Sequence, residues 1–315
     1  MPIRGDAANT RTFALPGEQS QATGLRFTNS KRRGNPKMSF VDRMVRVATW
    51  PVPLRAIFFR KLLRRWPIGS YETRLVMGAI DRPVYGWCTY FAAVEARALG
   101  YKAMTVVEFG VAGGTGLVNL CKHKKEIQKE LGIEILVVGF DTGVGLPSSQ
   151  DSRDLLYLWP AGSFEMDRAA LEKRIAGQAD LVFGDVATTV ASWQPRPDAP
   201  VGAIMFDLDF YTSTMAAFGL LLEKNILPRV WCYFDDISGY PANAYTDRIG
   251  EREAIKQFNL APERQRLNDH LSPAYVFKGL PRELRQEDIY LYHRLSHPEY
   301  NVCLSGTEKH QLKLA

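Results

Sequence analysis

Residues 106–117 read VVEFGVAGGTGL, a β-branched run that ends at Glu108-Phe109-Gly110 and breaks into glycines at 110, 113, 114 and 116. An apolar helical pattern, LVNLCKHKKEIQKEL, follows at once. Strand, glycine turn and helix in that order let backbone approach a ligand closely. The next run, IEILVVGFD at 133–141, is a second strand of near-continuous apolar residues with Asp141 at its tip. The alternation continues through helical DRAALEKRIAGQ, strand ADLVFGD, strand VGAIMFDLD, helical MAAFGLLLEKN and strand RVWCYFDD. Buried strands alternating with amphipathic helices predict an α/β fold, a mostly parallel sheet with helices on both faces. Right-handed crossovers then set the C-terminal ends of the strands along one edge, where such sheets bind ligands.

The pattern extends in both directions. Upstream, GWCTYFAAVEARALGY predicts a helix ended by Gly100; downstream, YTDRIGEREAIKQFNL predicts another. PAYVFKGL and EDIYLYHRLSH are β-rich and too close together for another βαβ unit. They are expected to pair antiparallel at the sheet edge and complete seven strands.

Composition bounds the rest. The chain has 315 residues, 46% hydrophobic and 23% charged, enough for one large folded domain and incompatible with disorder throughout. No apolar run is long enough to span a bilayer and the N-terminus lacks the apolar core of a secretory signal, so a cytoplasmic location is expected. Cys88, Cys121, Cys232 and Cys303 lack paired spacing and read as reduced thiols. The first 70 residues carry fourteen Lys and Arg against three acids, whereas the remainder holds more acids than bases. The basicity therefore belongs to a leader, and no nucleic-acid partner is expected for the folded domain. Residues 1–36 have the composition of a flexible tail, and residues 37–84 predict basic amphipathic helices broken by Pro51 and Pro53. The main domain should span 85–300, with a tail at 301–315. The leader can serve as a lid, as a subunit contact in a homo-oligomer or as a peripheral membrane contact; Phe58, Phe59, Leu62, Leu63 and Trp66 are expected to give it a buried face.

The chemistry sits at strand ends. Gly110, Gly113 and Gly114 shape the turn, but Ala112 stands where a dinucleotide fingerprint needs its second glycine. Glu108 would oppose a pyrophosphate and suits a ligand bearing an ammonium and a sulfonium, which points to S-adenosylmethionine. Asp141 is placed for ribose hydroxyls and Asp185, closing the third strand, for the adenine amino group, although a strand-end Asp often only caps the next helix. Two acidic pairs follow, Asp207 and Asp209 in FDLDFYTST and Asp235 and Asp236 in YFDDISG. Four converging carboxylates repel one another unless a cation sits among them, and oxygen donors without His or Cys suit Mg²⁺, with Mn²⁺ or Ca²⁺ as alternatives. Trp159 and Phe164 are candidates to wall an acceptor pocket, and His270 is a candidate second base. His293 and His297 read as ordinary edge residues.

The series EFGVAGGTG, GFDTGVGLP, GDV, DLDFYTST and YFDD resembles the macrocin O-methyltransferase (TylF-like) family of class I methyltransferases over roughly residues 85–295. The resemblance implies a Rossmann-like class I methyltransferase fold. It implies cofactor roles for Glu108, Gly110, Gly114, Asp141 and Asp185, with Asp207, Asp235 and Asp236 as Mg²⁺ ligands and Asp209 beside them as a proton acceptor or orienting group. The expected activity is O-methylation of a hydroxyl on a sugar or other small metabolite. An NAD-linked oxidoreductase and a non-catalytic docking protein working through its basic leader are the alternatives.

Overall fold

A computed structural model describes residues 54–238, 246–275 and 288–304. The tail at 1–36, the first of the two leader helices and residues 305–315 lie outside them. Seven strands form one sheet: β1 (Ala103–Phe109), β2 (Glu134–Asp141), β3 (Asp180–Phe183), β4 (Val201–Phe206), β5 (Ile226–Phe234), β6 (His270–Pro273) and β7 (Ile289–His293). Their order is β3-β2-β1-β4-β5-β7-β6. The first five run parallel, and β7 is antiparallel to both β5 and β6. This is the mostly parallel seven-stranded sheet with an antiparallel edge that the sequence predicts. One boundary differs: β6 precedes most of PAYVFKGL, starting at His270 behind the Asn268 turn, whose positive φ of 56° ends the preceding helix.

The helices are α1 (Leu54–Arg65), α2 (Tyr71–Val76), α3 (Pro83–Ala98), α4 (Thr115–Leu131), α5 (Arg168–Ile175), α6 (Val186–Ser192), α7 (Tyr211–Ala217), α8 (Gly250–Leu260) and α9 (Pro262–Leu267). Side chains alternate across the sheet. In β1, Met104 and Val106 join a core with α2 to α5, and Val107 and Phe109 join a second core with α6 to α8. Chain order explains the split. From β1 to β3 the chain steps one way across the sheet, and from β4 to β5 it steps the other way, so right-handed crossovers send the helices to opposite faces. The reversal lies between β1 and β4, the position where open sheets of this kind offer a crevice.

Four phenylalanines close the strands. Phe140, Phe109, Phe206 and Phe234 are in register across β2, β1, β4 and β5. Their rings meet at 4.9, 5.7 and 4.7 Å between centroids, and the Phe206–Phe234 pair is stacked within 6°. All four are buried in the second core. The residue after each is Asp141, Gly110, Asp207 or Asp235, so four strand ends are held level.

The leader differs from expectation. Tyr71, Leu75 and Ile80, read from sequence as leader, are built into the first core. Tyr71 also donates to or accepts from His123 Nδ1 at 2.8 Å. Helix α1 is fastened by its arginines: Arg60 donates to Met77 O at 2.8 Å and Arg64 to Gly78 O at 3.1 Å. Its aromatics are not a buried face, because Phe58, Phe59 and Trp66 remain 64%, 56% and 56% exposed. Anchoring through guanidinium groups leaves those rings on the outer arc.

Phe206 touches the rings of Phe109, Phe218 and Phe234. Phe206→Ala should therefore cost about 3–5 kcal/mol in urea unfolding, and a loss below about 1 kcal/mol would show that the row does not hold the strand ends.

Candidate active site

The level strand ends open onto a cavity of about 430 Å³. Glu108, Gly110, Gly113, Asp141, Asp185, Asp207, Asp209, Asp235 and Asp236 all line it, with Trp159 and Phe164 on its wall. Backbone bonds weld the edge: Gly110 N donates to Phe140 O, Asp207 N to Phe109 O and Asp235 N to Phe206 O. Gly110 has φ of 82°, and a Cβ there would meet Asp207 O at 1.7 Å. Only glycine allows β1 and β4 to close this tightly.

Gly114 and His270 are the sequence candidates outside the lining. Gly114 has φ of 75° and a Cβ would strike Leu171 Cδ1 at 2.2 Å, so glycine there lets α5 pack closely on the turn. Gly113, by contrast, has open space where a Cβ would stand. Asp141 holds the turn itself, accepting from Ala112 N at 2.8 Å and Gly143 N at 2.6 Å. Asp185 caps α6, accepting from Ala187 N at 2.9 Å, and also faces the cavity.

Glu108 is 1% exposed. Tyr85 donates to its Oε1 at 2.9 Å, while Oε2 is buried without a hydrogen bond. An orphaned buried acceptor is costly. Burial, reinforced by Asp207, pushes the Glu108 carboxyl up to about 8. A cationic group entering the cavity would satisfy that oxygen and favour its ionised form.

The acidic cluster is larger than the sequence suggests. Asp209 and Asp236 lie within hydrogen-bonding reach of each other, and burial raises Asp209 to about 6. Burial together with the charges of Asp209, Glu251, Asp207 and Asp235 raises Asp236 well above the usual carboxylate range. Glu251, at the start of α8, is fully buried and accepts from Asp236 N at 3.0 Å and Leu208 N at 3.4 Å. Tyr233 donates to Asp235 Oδ1. Among the described residues, no three His, Cys, Asp or Glu side chains stand in the arrangement of a formed metal site. The donor set nonetheless suits a hard divalent cation: it is all oxygen, and burial with neighbouring carboxylates raises Asp209, Asp236 and Glu251, which a positive charge would offset.

Sequence reasoning missed Arg82, Tyr85 and Glu251. Pro83 at the first position of α3 does mark a helix start, but nothing local ties Arg82 to the cavity. Glu251 lies in a segment read only as helical, and its place comes from α8 beginning against the strand ends. His270 is exposed on β6 and does not line the cavity, because β6 is the outermost strand. His293 pairs with Tyr300 at the same edge. The loop carrying Trp159 and Phe164 is pinned by Asp154, fully buried, which accepts from Thr212 N at 2.8 Å and Thr212 Oγ1 at 2.7 Å.

No protein-family model matches the chain, and no curated protein matches it. Solved structures do. The chain is similar to CalS11, a calicheamicin methyltransferase, at 19% identity over 81% of this chain and 93% of that one, with a TM-score of 0.47. It is similar to apo CalS11, described as a TDP-rhamnose 3'-O-methyltransferase, at 17% identity, 80% and 91% coverage and a TM-score of 0.38. It is also similar to the methyltransferase PaMTH1 of Podospora anserina, bound to S-adenosylhomocysteine, at 12% identity, 81% and 93% coverage and a TM-score of 0.39.

The buried acids set a pH dependence. Burial raises Glu95, paired with Arg229 at 2.9 Å, to about 7, and Glu108 to about 8. A raised folded pKa gives stability that is complete below the unfolded value and lost as pH climbs through the folded one. Buried His123, lowered to about 4, acts oppositely but only below its unfolded value of 6.5. The melting temperature should therefore fall between about pH 6.5 and 8.5, and Glu108→Gln should flatten the fall; a melting temperature that rises over that range contradicts the assignment.

Proposed function

We propose that this chain is an S-adenosylmethionine-dependent O-methyltransferase acting on a hydroxyl of a sugar or other small metabolite, assisted by a divalent cation such as Mg²⁺. One observation carries the reading: a single cavity joins the glycine turn, Glu108, Asp141 and Asp185 to the four aspartates of β4 and β5. The first group suits a positively charged nucleoside. Glu108 Oε2 would receive the ammonium, Gly110 and Gly113 leave bare backbone beside it, Asp141 would take ribose hydroxyls, and Asp185 reaches toward an adenine amino group.

The second group would hold the cation, through Asp207, Asp235 and Asp236. When bound, S-adenosylmethionine supplies a methyl group as an electrophile and the cation supplies positive charge that makes a hydroxyl easier to deprotonate. The chain's own residues position and shield. Trp159 and Phe164, their rings 5.3 Å apart, form one wall. Asp209, buried within hydrogen-bonding reach of Asp236, would take the acceptor's proton. Its backbone has a left-handed φ of 58°.

Methyl transfer to a panel of sugar and small-metabolite hydroxyls, with labelled S-adenosylmethionine, tests the reading. EDTA should stop turnover and Mg²⁺ restore it. Asp235→Asn or Asp236→Asn should raise the Mg²⁺ requirement by about tenfold or more. Asp209→Asn should cut turnover at saturating Mg²⁺ by about 10²–10⁴, with binding of S-adenosylhomocysteine retained in all three. Full turnover in EDTA removes the cation from the reaction, and an unimpaired Asp209→Asn enzyme assigns the proton elsewhere.

A further inference from the structure

Seven carboxylates line the cavity, and among the described lining residues Arg82 is the one basic side chain. It stands just before α3, with φ of 40°, a left-handed conformation that lifts it out of the helix it precedes. The guanidinium carbon lies 5.0 Å above the ring of Tyr85. Tyr85 is fully buried, and its hydroxyl is the donor to Glu108 Oε1. One rigid aromatic ring thus carries a guanidinium over its face and a carboxylate at its hydroxyl. Glu108 presents its unpartnered Oε2, and Arg82 brings five N–H donors in a planar fork that matches a carboxylate.

Opposite charges set side by side complement a group that carries both. An α-amino acid places an ammonium and a carboxylate on one carbon, whereas the ribose and adenine parts of a nucleoside carry neither. We propose that Arg82 receives the α-carboxylate of S-adenosylmethionine while Glu108 receives its α-ammonium, so that the two residues together recognise the amino-acid end of the cofactor. The inference rests on the methyltransferase reading above and adds a cofactor-binding residue to it. It also accounts for a lone arginine in an acidic cavity. Arg82 feels the charges of Glu108, Asp207 and Asp235, and the Tyr85 ring beneath it ties it to Glu108, whose Oε2 is unpartnered.

The test compares two ligands on the intact chain by isothermal titration. One is S-adenosylhomocysteine; the other is its decarboxylated analogue, the 3-aminopropyl thioether of adenosine, which keeps the ammonium. The wild type should prefer the first by roughly ten- to a hundredfold, the strength of a charged hydrogen bond pair. Arg82→Gln should erase the preference by weakening S-adenosylhomocysteine alone, and Arg82→Lys should keep part of it. Equal affinity of the wild type for both ligands overturns the inference. So does an Arg82→Gln variant that loses affinity for both ligands by the same factor, which is the signature of a structural role. Should Arg82→Gln fail to fold, the wild-type comparison and Arg82→Lys decide. A wild type that binds neither ligand fails at the earlier step and removes the cofactor reading itself.

Discussion

The row of four phenylalanines, one from each central strand, is the constraint on which the rest of the site depends. Phe140, Phe109, Phe206 and Phe234 fill one core in register, so the residue after each must leave the sheet at the same height. A carboxylate or a glycine follows every one. Slipping a strand by one residue would exchange its faces, driving Asp207 or Asp235 into the apolar core in place of a ring. The cost of burying an unpaired carboxylate is several kcal/mol. Ring packing and charge exclusion thus enforce the same register, and the acids are held together although they repel.

That repulsion is the other half of the account. Asp209, Asp236, Glu251 and Glu108 are all raised, first by burial and then by neighbouring carboxylates, among which Asp207 and Asp235 recur. Ionising so many gathered acids costs stability, which protonation or a positively charged occupant restores. S-adenosylmethionine brings an ammonium and a sulfonium, and a divalent ion brings two charges. In the proposed reading the two halves of the cavity would answer these two needs, and Arg82, the one basic side chain among the described lining residues, would meet an amino-acid carboxylate.

Much of this was legible in the sequence because it repeats locally. The strands alternate or run apolar, the helices have their own period, and the glycine turn, Asp141, Asp207 and Asp235 all follow directly from where strands stop. What escaped is what depends on two distant segments meeting. Glu251 matters only because α8 begins against β4 and β5, and Arg82 only because α3 packs its Tyr85 under Glu108. Gly114 was legible as a glycine of the turn but not as the neighbour of Leu171, which comes from α5. The exposed aromatics of α1 and the edge position of His270 show the same limit, since periodicity gives a face without saying what covers it.

The central claim is that this cavity takes a cationic nucleoside rather than a dinucleotide. Isothermal titration of the intact chain with S-adenosylhomocysteine and, separately, with NAD tests it directly. The account predicts saturable binding of S-adenosylhomocysteine, weakened about tenfold or more by Glu108→Gln as a charged hydrogen bond is lost, and no measurable heat with NAD. Saturable binding of NAD with none of S-adenosylhomocysteine would contradict it.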